Sequence, residues 1–184
     1  MPRIIAGERR GRIIRTLQGR NTRPTSDRVK ESLFNIIQER LQSSRVLDLY
    51  AGTGSLGLES LSRGCRDVVF VENDPSAVRV LRDNCRSLDY MEYCEILPFD
   101  VQKAIEWLSG KKQVFDIILM DPPYNREFEV RTISALEQGN LVGDEGIIVV
   151  EHLATDEQDE RVGNFRRYDL RKYGNTALSF YRKE

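Results

Sequence analysis

Five apolar runs, each separated from the next by a stretch of helical character, constrain this chain more than any other feature: "RVLDLY", "DVVFVE", "YCEILPFD", "FDIILMD" and "GIIVVEH". Strands that alternate with helices pair in parallel, because a right-handed crossover brings the chain back to the same end of the sheet. Runs that are continuously apolar, rather than alternating, mark strands buried on both faces. The intervening segments fit: "SLGLESLSRG" stops at Gly64, "PSAVRVLRDNCRSL" opens with Pro75, "VQKAIEWL" follows the third run, and residues 127–138 join the fourth run to the fifth. The end is different. "NFRRYDLRKYGNTALSFYRK" holds two strand-like runs around "YGNT" with no helix between them, which predicts an antiparallel hairpin. The expected fold is α/β: a doubly wound, mostly parallel sheet of seven strands with antiparallel C-terminal strands.

At 184 residues the chain suits a single domain with a substantial core. Residues 1–25 are expected to form a basic extension and 26–184 the core. No apolar run approaches the ~18 residues that span a bilayer, and no charged-then-apolar leader opens the chain, so a cytoplasmic protein without membrane contact is expected. Cys65, Cys85 and Cys94 lack the CxxC spacing of a metal site, and His152 is the only histidine. Metal chemistry and Ser/His/Asp hydrolysis are set aside on that ground, and no metal is expected.

The net charge of -1 hides an asymmetry: residues 1–30 carry +7 and the remainder -8. Eight of the nine basic side chains in that first segment are arginines, whose planar fork suits phosphate. A basic arm on an acidic body points to a polyanionic partner. "RIIAGERRGRIIRTL" reads as a hairpin with Arg9, Arg10 and Arg12 near its tip. "TRPTSDRVKESLFNIIQERL" then reads as a helix capped by Thr25 or Ser26, with Val29, Leu33, Ile36, Ile37 and Leu41 as its buried face. The candidate nucleic-acid contacts are Arg9, Arg10, Arg12, Arg23 and Arg28.

In open α/β sheets ligands bind beyond the carboxyl ends of the strands, near the point where strand order reverses. Acids stand there after each of the first four runs: Asp48, Glu72, Asp100 and Asp121. "GTGSLG" matches the GxGxxG dinucleotide fingerprint, with Glu72 20 residues beyond Gly52, where a carboxylate reaches ribose hydroxyls. Asp48, four residues before Gly52, argues against a pyrophosphate in the same pocket. It suits a ligand with an amino group and a positive sulfur, and Asp100 can accept from an adenine amine. S-adenosylmethionine has all of these parts. Asp48, Ala51, Gly52, Gly54, Glu72, Asn73, Asp100 and Val101 are the candidate cofactor residues.

"ILMDPPYNREF" carries the reaction. Two prolines stiffen the turn and withdraw backbone donors, leaving the Asp121 carboxylate and the Pro122 carbonyl as acceptors. A planar amine on a nucleobase can donate to both while its ring stacks on Tyr124, which aims the nitrogen at a methyl donor. Asp121, Pro122, Pro123 and Tyr124 are the candidate catalytic residues.

With "DLYAGTG" and "DPPY" in place, the sequence resembles the Rossmann-like class I methyltransferases that use S-adenosylmethionine. More narrowly, "RIIAGERRGR", "TRPTSDRVKESLFN", "DLYAGTGSLGLESLSRG", "VEND" and "KYGNTALSFY" resemble the small bacterial 16S ribosomal RNA methyltransferases that modify guanine N2, a likeness running from Arg3 to Tyr181. The resemblance implies that the Asp48–Gly54 loop holds the methionine part of the cofactor, Glu72 its ribose, and Asp100 with Phe99 and Val101 its adenine. It implies that Asp121–Tyr124 hold a flipped guanine, the family's usual target being guanine 966. A monomer acting on ribosomal RNA, within a small-subunit particle, is the expected partner arrangement. The family commonly has Phe where Tyr50 stands. Glu151 and His152 are given no role beyond finishing a strand. The rival readings are a DNA adenine-N6 methyltransferase, a protein glutamine methyltransferase and an NAD-dependent oxidoreductase.

Overall fold

Four of the five apolar runs lie inside one sheet with both faces covered, while the third, "YCEILPFD", forms an edge strand on which Glu95 is exposed. The computed structural model describes residues 2–17, 26–122 and 126–184. In chain order the elements are α1 (Asp27–Leu41), β1 (Arg45–Leu49), α2 (Ser55–Ser62), β2 (Asp67–Val71), α3 (Pro75–Ser87), β3 (Cys94–Leu97), α4 (Val101–Gly110), β4 (Phe115–Met120), α5 (Arg126–Gln138), β5 (Val142–Leu153), β6 (Arg161–Val162), β7 (Phe165–Tyr173) and β8 (Thr176–Lys183). The strand order is β3-β2-β1-β4-β5-β8-β7-β6. From β3 to β5 the pairing is parallel, and β8, β7 and β6 are antiparallel. The sheet thus has eight strands where seven were expected. The extra one, β6, is two residues long, too short to show a hydrophobic period.

Strand order reverses between β1 and β4, because β2 and β3 follow on one side of β1 while β4 and β5 follow on the other. The helices divide accordingly. α1, α2 and α3 pack on one face through Leu33, Phe34, Leu58 and Leu81. α4 and α5 pack on the other through Ile105, Leu108, Ile133 and Leu136.

Ser26 caps α1, its hydroxyl accepting from the Val29 N–H at 3.3 Å. The buried stripe of α1 differs from expectation at three positions: Lys30 and Phe34 are fully buried while Ile36 is 37% exposed. The N-terminal runs pair through a single antiparallel bridge, Arg3 with Ile13, rather than a ladder. Their anchors are Ile4 and Ile14, both buried in the core shared with α1, α2 and α3. Glu59, on α2, fixes this arm. Its carboxylate accepts from the N–H groups of Ile5 at 2.8 Å and Ala6 at 3.0 Å, and it pairs with Lys30 at 3.3 Å and Arg63 at 2.8 Å. No helix among the described residues is long and apolar enough to cross a membrane.

Candidate active site

β1 delivers Asp48 to the strand end at the reversal point, buried to 2% exposure. Its Oδ2 accepts from the Gly57 N–H at 2.9 Å. That bond needs α2 close to the sheet, and Gly57 permits it: a Cβ there would meet the Phe70 ring at 2.2 Å. Burial pushes the Asp48 carboxyl up to about 7 against the pull of the Gly57 bond, and the charge of Glu72 adds to the rise.

The loop after β1 turns through Tyr50 and Gly52, with φ of 61° and 56°, and Gly54 at 90°. The two motif glycines have different reasons. At Gly52 a Cβ would meet nothing within 4 Å, so its backbone faces open space. At Gly54 a Cβ would strike Leu81 Cδ1 at 2.4 Å, so that glycine serves the packing of α3 as well as the turn. Tyr50, half-buried, bonds Thr132 of α5 through its hydroxyl at 3.0 Å, a contact phenylalanine would lack.

Glu72 follows β2 and grips the same loop. Its two oxygens accept from the Gly52 N–H and the Asp74 N–H, each at 2.8 Å. Each carboxylate oxygen retains a lone pair, enough to accept from ribose hydroxyls. Asn73 beside it is exposed. Asp100 caps α4, with Oδ1 accepting from the Lys103 N–H at 3.0 Å, and Val101 is buried at the first position of that helix. Lys103 lies 4.9 Å over the ring of Phe99. The capping role open to any strand-end Asp therefore holds at Asp100, which is exposed.

Asp121 follows β4, and Pro122 after it is buried. Burial, the charge of Glu151 and the charge of Asp48, in that order, raise the Asp121 carboxyl to about 8. Asp48 and Asp121 thus come together from adjacent strands, and the register of β4 with β5, Met120 opposite Val150, brings Glu151 beside them. Sequence reasoning missed Glu151 as a member of this cluster; its position one residue past the register partner of Met120 is visible only once β4 and β5 are paired. Pro123, Tyr124 and Arg23 lie outside the described residues. His152 belongs to the core: its Nδ1 meets the Leu153 carbonyl at 2.8 Å and its Nε2 the Ser179 hydroxyl at 2.9 Å, and burial lowers its pKa.

The candidate RNA contacts divide. Arg10 and Arg28 are exposed. Arg9 and Arg12 instead close the C-terminal end of α3, Arg9 Nε donating to the Leu88 carbonyl and Arg12 Nη2 to the Ser87 carbonyl, both at 2.9 Å. Cations are favoured at that end of a helix dipole. Arg9 also lies 3.5 Å from Asp89 and 5.6 Å over the Tyr90 ring.

Four acids, Asp48, Glu72, Asp121 and Glu151, gather beside one open glycine turn, and among the described residues a single backbone donor, the Gly57 N–H, opposes the burial of Asp48. Such a pocket disfavours an anionic pyrophosphate and fits a ligand carrying an ammonium and a sulfonium. Fold and site together define a class I methyltransferase, the class that takes its methyl group from S-adenosylmethionine. Residues 2–182 match the family model described as Conserved hypothetical protein 95, and the chain belongs to that family. Ribosomal RNA small subunit methyltransferase D of Haemophilus influenzae is 34% identical, over 98% of this chain and 91% of that one. Its namesake in Escherichia coli K12 is 31% identical, over 99% and 90%. Among solved structures, the Escherichia coli protein YhhF, described as a methyltransferase, superposes with a TM-score of 0.87 at 29% identity, covering 100% of this chain and 98% of that one.

Proposed function

We propose that the protein methylates the exocyclic N2 amine of a guanine in small-subunit (16S) ribosomal RNA, with guanine 966 as the target. The observation that carries this reading is the pair of carboxyls, Asp48 buried and Asp121 half-buried, on adjacent strands at the reversal point, each raised to near or above neutrality. The relatives named for small-subunit rRNA methylation match over nearly the whole chain, which supports the RNA as substrate. S-adenosylmethionine supplies an electrophilic methyl group when bound. Asp48 faces its cationic end, Glu72 its ribose, and Asp100 with Phe99 and Val101 its adenine; Ala51, Gly52, Gly54 and Asn73 shape the wall between.

Guanine N2 is a poor nucleophile because its lone pair is delocalised into the ring, so orientation supplies much of the acceleration, ~7 kcal/mol or more. Asp121 and the Pro122 carbonyl accept the two N–H bonds of the amine, and Tyr124 stacks on the base. As the N–C bond forms and the S–C bond breaks, the nitrogen sheds a proton. A carboxylate with the proton affinity of Asp121 can take it. Arg10, Arg28 and Arg23 hold phosphates. Arg9 and Arg12 do so with the N–H groups left over from α3. The protein acts as a cytoplasmic monomer on the small-subunit particle.

The test uses small-subunit particles and naked 16S rRNA from cells lacking the gene, incubated with the purified protein and S-adenosylmethionine. Nucleoside mass spectrometry should show N2-methylguanosine at one position, formed faster on particles. Asp121→Ala should lower turnover about 100- to 10,000-fold, with cofactor affinity changed little. A methylated adenine, or wild-type turnover in the variant, overturns the assignment.

A further inference from the structure

The arm is not the only basic part of the chain. Between Phe165 and Lys183 stand Arg166, Arg167, Arg171, Lys172, Arg182 and Lys183 against a single acid, Asp169, a net charge of +5 on β7 and β8. A bulge in β7 sorts these side chains. The register with β8 shifts between Arg167 and Asp169, so Tyr168 and Arg171 share the face that Phe180, Leu178 and Arg182 present. This is the face covered by α1, α2 and α3 elsewhere; among the described residues of β7, Tyr173 is the one that packs against the core beneath them.

What remains open is basic and aromatic. Tyr168 is 40% exposed, tilted against Phe180 at 6.1 Å between ring centroids, with Arg182 5.3 Å over its ring. Arg40, from the last turn of α1, is near enough for its charge to act on the Tyr168 phenol, and Ile36 is exposed on the same helix. Two acids temper the face: Asp169 pairs with Arg171 at 3.0 Å and Glu184 with Arg166 at 2.9 Å. Arg40 donates to the Glu145 carbonyl at 2.9 Å, a neutral acceptor that leaves its charge unanswered. The stripe spans roughly 20 Å along β7. It begins at Tyr173, whose neighbouring turn leads into Thr176, the register partner of Leu153 at the ligand end of β5.

We propose that this β7–β8 face is a second RNA-binding surface, on which Arg40, Arg171 and Arg182 hold phosphates and Tyr168 stacks an unpaired base. The proposal rests on rRNA being the substrate and adds where the RNA runs: from the arm, across α1, to the opposite edge of the sheet on the same face. Arginine forks match phosphate, and exposed aromatic rings flanked by arginine match splayed bases. A protein partner would find little apolar area here beyond Ile36 and Tyr168.

The probe is a 16S rRNA transcript, with affinity measured by filter binding across a salt titration. Arg171→Glu with Arg182→Glu should weaken binding ~10-fold or more and flatten the log–log salt slope by about 0.7 for each phosphate that the protein no longer neutralises. Tyr168→Ala should weaken binding with the slope unchanged, a signature that removal of charge cannot produce. In both, S-adenosylmethionine affinity and kcat at saturating RNA should stay within about twofold while KM for RNA rises. Should the double reversal fail to fold, Arg171→Gln with Arg182→Gln carries the same slope test. Wild-type affinity and slope in the folded variants overturn the proposal, as does a loss of self-association with RNA affinity intact, which would make the face an interface between copies of this chain. Wild-type protein that binds the transcript but methylates no rRNA breaks the functional reading alone.

Discussion

Two groups of buried charge in this molecule are built in opposite ways. Around Glu59, two cations and two backbone N–H groups surround one carboxylate, and both Lys30 and Glu59 are fully buried. At the reversal point the balance is inverted: Asp48 has a single backbone donor, and the charges of Glu72, Glu151 and Asp48 itself raise the acids of the cluster. The first group is complete within the chain and holds the arm to α2. In the second, Asp48 has no cationic partner among the described residues, and a cationic ligand supplies the counter-charge. Buried charge therefore marks structure where it is compensated and a site where it is not.

The largest effect that would break this contrast is on stability. Glu59→Ala leaves Lys30 buried without its partner and the Ile5 and Ala6 N–H groups unpaired, which should cost about 3–5 kcal/mol. Chemical denaturation measures it; a change under about 1 kcal/mol would mean that Glu59 does not clamp the arm.

Asp48→Asn should do the reverse. The Asp48 carboxyl stands at about 7 in the folded protein against an ordinary value of 3.8, so the native state holds a proton that the unfolded chain releases. Its stabilising contribution is full in acid and is lost as pH rises toward 7. Removing the charge while keeping an oxygen for the Gly57 N–H should raise ligand-free stability at pH 8 by about 2–4 kcal/mol and weaken S-adenosylmethionine binding. A variant less stable than wild type at pH 8 would show that Asp48 is compensated after all.

The smallest effect sharpens the same point. A cationic ligand favours ionised Asp48, so binding at pH 7 should release a fraction of a proton and tighten as pH rises through that range. Calorimetry in two buffers of different ionisation enthalpy reads the release directly; proton uptake on binding would contradict the cluster's sign.

Much of the site was legible because it lies at fixed places relative to the apolar runs. An acid at or just beyond the carboxyl end of a parallel strand falls at the ligand edge of the sheet, so Asp48, Glu72, Asp100 and Asp121 could be placed before any contact was known. Glu151 could not, because the β4–β5 register decides which residue of the fifth run stands beside Asp121. Lys30 and Glu59 were equally hidden: each sits on an amphipathic helix where a charged residue reads as solvated. Arg9 and Arg12 were read as phosphate ligands from charge alone, and only the packing of the arm on α3 shows them engaged with its last carbonyls.

By itself, the order of apolar runs and turns determined the α/β topology, the ligand edge and the acids along it, since strand period, helix breakers and connection handedness are local properties of the chain. Tertiary structure alone decided which charges are answered. That depends on distances between segments far apart in sequence, and on the bulge that turns Tyr168 and Arg171 to the same face of the sheet.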